Sequence, residues 1–123
     1  MGTRSITVVK DRNNNKIIEM YKQYDGYPEG LGEELKKFIA SGTMVNGLGK
    51  DKAVFNGIEC FAAQLVAHFK EGRPGGIYLH APTPDYSDKK KYDDMYTAEY
   101  YYEISADLVL TCWDTYTGER VEL

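Results

Sequence analysis

Several classes of protein fit poorly with what this chain of 123 residues lacks. It has two cysteines, Cys60 and Cys112, which lie far apart and do not have the spacing of metal ligands. It has no apolar stretch long enough to span a membrane, and none near the N-terminus resembles a signal peptide. We therefore expect a cytoplasmic protein with reduced thiols and no membrane association.

Positive charge is also scarce. The chain has 15 basic residues against 19 acidic ones, a net charge of -4. A protein that binds a nucleic-acid backbone would need to concentrate its cations on one face, yet Lys89-Lys90-Lys91 is followed at once by Asp93-Asp94. The acidic excess is an ordinary balance and gives little support to imitation of DNA. We expect no direct nucleic-acid binding.

Tyrosine is the residue that the chain has in excess. There are 11 tyrosines against 1 tryptophan and 4 phenylalanines. A tyrosine can be half buried and still present its hydroxyl group. This abundance therefore favours an interface or a ligand-facing sheet surface over additional core.

Hydrophobic periodicity predicts a hairpin, then two helices, then more strands. The hairpin joins the runs 5–10 and 16–24 through Asn13 and Asn14, because asparagine tolerates the backbone of a tight turn. The first helix begins at Leu31 and stops at Gly42. Further strands are predicted over 76–81, 98–105, 108–114 and 120–123, and loops over 43–55 and 85–97, the latter exposed.

The second helix ends near Lys70 and has a continuous apolar stripe, which we expect to be buried against a sheet. The residues of the stripe are Ile58, Phe61, Ala62, Leu65, Val66 and Phe69.

The predicted order is therefore β-β-α-α-β-β-β in a single α+β domain over residues 1–123. Because both apolar helix stripes need the same cover, we expect a mainly antiparallel sheet of four to six strands with two helices packed on one face. The opposite face would then be rich in tyrosine and exposed. We expect a homo-oligomer that forms through Tyr100, Tyr101 and Tyr102.

The least generic stretch is the corner Gln23–Gly30, where Asp25-Gly26 requires a turn and Pro28 fixes the backbone. The hairpin brings the start of its first strand beside this corner, so Arg4 would lie close to Asp25. We expect a pocket for a small anionic ligand with an arginine fork, an aromatic plane and an amide. Its residues are Arg4, Asp25, Tyr27 and Gln64. The alternative is structural: Arg4 pairs with Asp25 or a neighbour, and Asp25 is a turn acceptor.

Catalytic signals are weak. Cys60, Gln64 and His68 share one face of the second helix, but glutamine is a poor metal ligand and we expect no metal and no cofactor. Cys60 and His68 are about 12 Å apart along a helix, beyond hydrogen-bond reach. We expect a non-enzymatic protein. The alternative is a small hydrolase or nucleotide-modifying enzyme in which Asp25 and either His68 or His80 exchange protons.

The start Met1-Gly2-Thr3-Arg4-Ser5, followed by a hairpin and Tyr24-Asp25-Gly26-Tyr27-Pro28, resembles a group of small, uncharacterised bacteriophage and prophage proteins. The likeness extends through Phe55-Asn56-Gly57 and Ala62-Ala63-Gln64. This resemblance implies a setting and no mechanism. Small phage proteins of this kind often counter host defence, either by sequestering a nucleotide signal or by binding a host defence protein such as a CRISPR effector. In the second case the Tyr-rich acidic surface would be the contact.

Overall fold

The computed structural model describes residues 2–45, 54–81, 85–86, 88–95 and 98–123, and only the backbone of 93–95. The elements in chain order are β1 (Ser5–Lys10), β2 (Lys16–Lys22), a π-helical turn (Pro28–Gly32), α1 (Glu33–Ala40), β3 (Thr43–Val45), β4 (Val54–Asn56), α2 (Ile58–Lys70), β5 (Ile77–His80), α3 (Lys89–Met95), β6 (Tyr100–Ile104), β7 (Leu110–Asp114) and β8 (Arg120–Val121).

Six of the strands form one sheet in the order β5-β2-β1-β6-β7-β8. Neighbouring strands are antiparallel except for the central pair, β1 and β6, which is parallel. β3 and β4 pair in parallel as a separate ribbon. The protein is therefore an α+β fold with a mainly antiparallel sheet, as predicted. Among the residues that the structure describes, none of the helices has the length and apolar character needed to span a bilayer.

The first hairpin is confirmed, and its turn explains why the strands start and stop where they do. Asp11 Oδ1 accepts hydrogen bonds from the backbone N–H groups of Asn13 and Asn15, both at 2.9 Å. Asn14 has a φ of 65°, the left-handed conformation that asparagine tolerates. β1, which precedes this turn, lies in the centre of the sheet, and all six of its residues are buried.

The two predicted helices do pack on one face of the sheet. Their buried side chains form one cluster with residues from β1, β2, β6 and β7. Phe61 and Leu65 of α2 are fully buried, and Phe38 of α1 joins them, with ring centroids 5.6 Å from Phe61. The apolar periodicity of both helices therefore identified the correct faces.

The face of the sheet opposite α1 and α2 is covered by part of the segment 85–97. The prediction that this segment is an exposed loop is therefore wrong. Within this segment α3 and the residues before it lie on the sheet, and Tyr86 and Tyr92 are buried against Tyr101, each at a centroid distance of 5.7 Å. Two tyrosines among charged residues give no periodic signal, which is why the sequence did not reveal this cover. The flanks of the predicted loop 43–55 form β3 and β4, and residues 46–53 lie outside the described residues.

This cover also corrects the role expected for the consecutive tyrosines. Tyr101 is 1% exposed and Tyr102 is 0% exposed, on opposite faces of β6, so both belong to the core of the chain itself. Neither can contact a partner in this structure. Only Tyr100 of the three is partly exposed. The homo-oligomer remains a prediction, but two of the three tyrosines that were expected to form its contact surface are buried.

Replacing Phe61 with alanine tests the packing of α2. The Phe61 ring lies edge-on to Phe55 at 4.8 Å and is completely buried, so Phe61→Ala should lower the free energy of unfolding by about 3–5 kcal/mol. Urea titration measures this loss. The control is Glu59→Ala on the exposed side of the same helix, which should cost less than about 1 kcal/mol. Equal costs for the two variants would mean that α2 packs through another face.

The two buried tyrosine hydroxyls should respond differently to removal. The Tyr102 hydroxyl donates to the Gly26 carbonyl at 2.7 Å, whereas the Tyr101 hydroxyl has no hydrogen-bond partner among the described residues. We expect Tyr102→Phe to cost about 1–3 kcal/mol, because a buried carbonyl loses its donor. Tyr101→Phe should leave the free energy of unfolding unchanged or raise it. Urea titrations that give equal losses would contradict this difference.

Candidate functional site

Four strands end or begin at one edge of the sheet, which we call the Arg4 edge. Ser5 at the start of β1 pairs with Lys22 at the end of β2 and with Tyr100 at the start of β6. Tyr100 in turn pairs with Asp114 at the end of β7. The residues just outside these strands therefore meet, and they include Arg4, Gln23, Tyr24, Tyr27, Glu99 and Tyr116.

Arg4 pairs with Glu99, a residue that is 95 positions away in the sequence. Its backbone N–H donates to Glu99 Oε2 at 2.5 Å, and its Nη2 lies 3.5 Å from Glu99 Oε1. The prediction that Arg4 shares its site with Asp25 missed this partner. The side-chain contact is longer than a charge-assisted hydrogen bond, and the guanidinium is 35% exposed. A ligand that takes up the guanidinium donors therefore competes with this ion pair and with the hydrogen bond from Arg4 to Tyr21.

Tyr21 and Gln23 lie beside Arg4 at the end of β2. The Tyr21 hydroxyl donates to Gln23 Oε1 at 2.5 Å, which fixes the orientation of the amide. Burial raises the pKa of Tyr21, and the nearby Arg4 guanidinium acts in the opposite direction. The hydroxyl is therefore neutral at physiological pH and serves as a donor.

Two adjoining hollows open at this edge. The first, the Arg4 hollow, has a volume of about 550 Å³ and is lined by Gly2, Arg4, Gln23, Tyr24, Glu99 and Tyr116. The second, the Tyr27 hollow, has a volume of about 310 Å³ and is lined by Thr3, Tyr27, Glu99, Tyr100, Asp114 and Tyr116. Glu99 and Tyr116 belong to both. Volumes of this size are typical of small-molecule sites.

The corner that stood out in the sequence holds this edge together. Gly26 donates its N–H to the Thr3 carbonyl at 2.9 Å, and a Cβ on it would lie 2.6 Å from Ser5 Oγ, so only glycine fits. Asp25 has a φ of 58°, and its carbonyl accepts from Leu31 at 3.1 Å. The Asp25 side chain is exposed and lines neither hollow. Its position fits the structural alternative, a turn residue.

Gln64 is not brought to this edge. On α2 its Nε2 donates to the Val54 carbonyl of β4 at 3.3 Å, and its Oε1 accepts from Cys60 Sγ at 3.3 Å. These bonds attach α2 to the β3–β4 ribbon. Of the four predicted ligand-binding residues, Arg4 and Tyr27 line adjoining hollows, Asp25 shapes the corner and Gln64 lies in the helix layer.

The sequence did not identify the residues that complete the hollows, Glu99, Tyr24 and Tyr116. Tyr24 is 54% exposed and Tyr116 is 82% exposed, the latter on the turn after β7. Tyr24 is brought to Arg4 by the first hairpin, whereas Glu99 and Tyr116 meet Arg4 through the parallel pairing of β1 and β6, and no local pattern reveals a pairing at such a sequence distance. The only available signal was Glu99 itself, an acid directly before a run of tyrosines.

The residues weighed for catalysis lie in different surroundings. The His68 ring packs 4.9 Å from Phe38 between the helices, whereas His80 stacks on Tyr21 at 5.2 Å. Burial raises the pKa of Cys112 to about 12, so its thiol is protonated at neutral pH and is a poor nucleophile. In the described part of the chain, no group of three or more His, Cys, Asp or Glu residues could hold a metal ion.

Removing either side chain of the Arg4–Glu99 pair should lower the free energy of unfolding, but by different amounts. Arg4→Ala keeps the backbone bond to Glu99 and should cost only about 0–1 kcal/mol, because a part-exposed ion pair contributes little. Glu99→Ala also removes the acceptor of the Arg4 N–H and should cost more, about 1–3 kcal/mol. Thermal or urea unfolding of both variants measures the difference. A larger loss for Arg4→Ala would mean that the guanidinium is a structural support.

Comparison with known proteins gives no independent guide to the Arg4 edge. No protein-family model matches this chain, and no match is found among curated proteins or solved structures. What the edge can bind follows from its own residues: a part-exposed guanidinium, one carboxylate and an amide beside it, and tyrosine rings that border both hollows.

Proposed function

We propose that this protein is a non-enzymatic binding protein that sequesters a small anionic, nucleotide-type ligand in the Arg4 hollow. The observation that carries the proposal is the meeting of a part-exposed guanidinium with the exposed rings of Tyr24 and Tyr116 in one hollow. The resemblance to phage proteins suggests the purpose, which is removal of a nucleotide signal that a host defence system uses.

Each part of a nucleotide has a suitable group in this hollow. The planar guanidinium of Arg4 offers several donors to a phosphate. The rings of Tyr24 and Tyr116 offer stacking surfaces to a base, a contact worth about 1–3 kcal/mol per base in single-stranded complexes. The Glu99 carboxylate can accept from a ribose hydroxyl or a base amine.

The Glu99 carboxylate also limits the affinity for a phosphate, because both anions interact with the same Arg4 guanidinium. The two charged groups are 3.5 Å apart and both partly exposed, so their attraction is weak and screened. A phosphate can therefore take up the guanidinium donors while Glu99 keeps its bond from the Arg4 backbone N–H.

The second candidate function is inhibition of a host defence protein through the same edge. Its support is the Tyr27 hollow, where Glu99 and Asp114 lie among three tyrosines, Tyr27, Tyr100 and Tyr116. Carboxylates and aromatic rings together suit an ammonium or guanidinium group, such as a basic side chain of a protein. If the protein is such an inhibitor, Tyr100 contacts the partner protein, as the sequence predicted, whereas Tyr101 and Tyr102 only support the fold.

Binding of nucleotides to matched arginine variants tests the proposal. Mass spectrometry of small molecules released from the heated protein identifies candidate ligands, and isothermal titration calorimetry measures their affinity. We expect Arg4→Ala to weaken binding at least about tenfold, the effect of losing about 1.4 kcal/mol. The control is Arg12→Ala, because Arg12 is largely exposed in the β1–β2 turn and pairs with Asp107 at 3.5 Å, away from both hollows.

The same measurements separate the two candidates. Nucleotide binding that Arg4→Ala removes and Arg12→Ala leaves intact supports the sequestering function. Nucleotide binding that is equal in both variants, or missing in the parent, contradicts it. A host protein whose binding is lost in Asp114→Asn then favours the inhibitor.

A further inference from the structure

The face of the sheet opposite α1 and α2 has a cleft that the Arg4 edge does not use. It lies between the sheet and the segment around α3, has a volume of about 490 Å³, and shares no residue with the Arg4 hollow or the Tyr27 hollow. We call it the Trp113 cleft. The residues that matter for its chemistry are Lys10, Asp85, Tyr86, Lys89, Glu103 and Trp113.

The geometry points to a second binding site here, for an uncharged sugar ring. Three features support this ligand class: the balance of charge in the lining, the aromatic surface, and a buried hydroxyl that the fold leaves without a partner. The site is independent of the function proposed for the Arg4 edge.

The charges of the lining cancel. Lys10 and Lys89 face Asp85 and Glu103, and Lys10 Nζ lies 3.5 Å from Asp85 Oδ2 and 3.3 Å from Glu103 Oε2. A phosphate would meet both carboxylates and a cation would meet both ammonium groups, so neither finds a net counter-charge. A hydroxyl group both donates and accepts, and can therefore bond to both kinds of side chain. This balance favours a neutral ligand with several hydroxyls.

The partly exposed ring of Trp113 supplies an apolar surface beside these charges, and the buried Tyr86 ring supports it. The ring centroids of Tyr86 and Trp113 are 6.2 Å apart at an angle of 39°. The Tyr86 hydroxyl donates to the Asp114 carbonyl at 3.3 Å, and Lys89 Nζ donates to the Thr115 carbonyl at 3.0 Å, so the segment before α3 is tied to the end of β7. The Trp113 ring, held next to this fixed segment, can cover the C–H face of a sugar.

The Tyr101 hydroxyl is the third feature. It is buried and has no hydrogen-bond partner among the described residues. Burial raises its pKa, and the carboxylates of Glu103 and Asp85 raise it further, so the hydroxyl keeps its proton. Those two carboxylates also line the cleft. Tyr101 does not itself line the cleft, so a ligand hydroxyl would satisfy this donor only by reaching past the lining carboxylates.

The single tryptophan of the chain makes the test direct, because all tryptophan emission reports on this cleft. The probes are glucose, galactose, mannose, N-acetylglucosamine and ribose, each titrated to millimolar concentrations. We expect a saturable change in Trp113 emission with at least one of them, with a Kd on the order of 1 mM. Glucuronate and glucosamine, which add one charge to the glucose ring, should bind at least about tenfold more weakly, for lack of a net counter-charge.

Variants locate the binding. Glu103→Gln should weaken it about tenfold, because a carboxylate acceptor is lost. Glu103 also pairs with the buried Lys10, so Glu103→Gln can lose binding by disturbing the fold. A second variant, in the exposed β1–β2 turn, separates the two causes. Asn14→Gly removes an amide from the cleft while keeping the positive φ, and should weaken binding several-fold. Arg4→Ala should bind sugar like the parent.

Methyl glycosides distinguish a free sugar from the end of a glycan. Equal affinity for glucose and methyl glucoside indicates a glycan end, and loss with the glycoside indicates a free sugar. Three results would overturn the proposal: no saturable change with any neutral sugar, charged derivatives that bind as tightly as neutral ones, or parent-like binding in both Glu103→Gln and Asn14→Gly.

Discussion

The parallel pairing of β1 with β6 is the constraint on which the rest of the structure depends. It places β1 in the middle of the sheet with all six residues buried, so both faces need cover. α1 and α2 supply it on one face, and Tyr86 and Tyr92 supply it on the other. The charged side chains next to this strand, Arg4 and Lys10, lie at its two ends, and both candidate sites lie at those ends.

Each end of the β1–β6 pair has an ion pair between a basic residue on the β1 side and an acidic residue on the β6 side. At the start, Arg4 before β1 meets Glu99 before β6, and at the finish, Lys10 of β1 meets Glu103 of β6. The exposure of the two pairs differs. Arg4 is part-exposed at an open edge, whereas the Lys10 side chain is 6% exposed and contacts a second carboxylate, that of Asp85. A buried lysine needs such partners, because a lone charge in the interior is strongly destabilising.

Seven of the tyrosines lie either in the core or around the Arg4 edge. Four tyrosines are part of the core: Tyr86, Tyr92, Tyr101 and Tyr102. The rings of the first three contact one another on the face of the sheet that α3 covers. Tyr24, Tyr27 and Tyr116 are exposed around the Arg4 edge. The high tyrosine content therefore reflects both core packing and the exposed rings of the Arg4 edge, whereas the sequence analysis favoured a surface role over additional core.

Local patterns in the sequence determined the helices α1 and α2 and most strands of the main sheet, but not β3, β4 or α3. The asparagine turn, the apolar stripes of α1 and α2 and the alternation along β6 were all readable, because each depends on residues within a few positions of one another. Glycine is required at position 26 by the close approach to Ser5, which appears only in the structure, and the positive φ of the turn lies at Asp25 and not at Gly26. Tertiary structure decided which strands are neighbours and what covers the second face. It thereby decided that Glu99 is the partner of Arg4 and that Gln64 lies elsewhere. The reason is physical: pairing between strands far apart in the chain is selected by the burial of the whole core, and no short stretch of sequence contains that information.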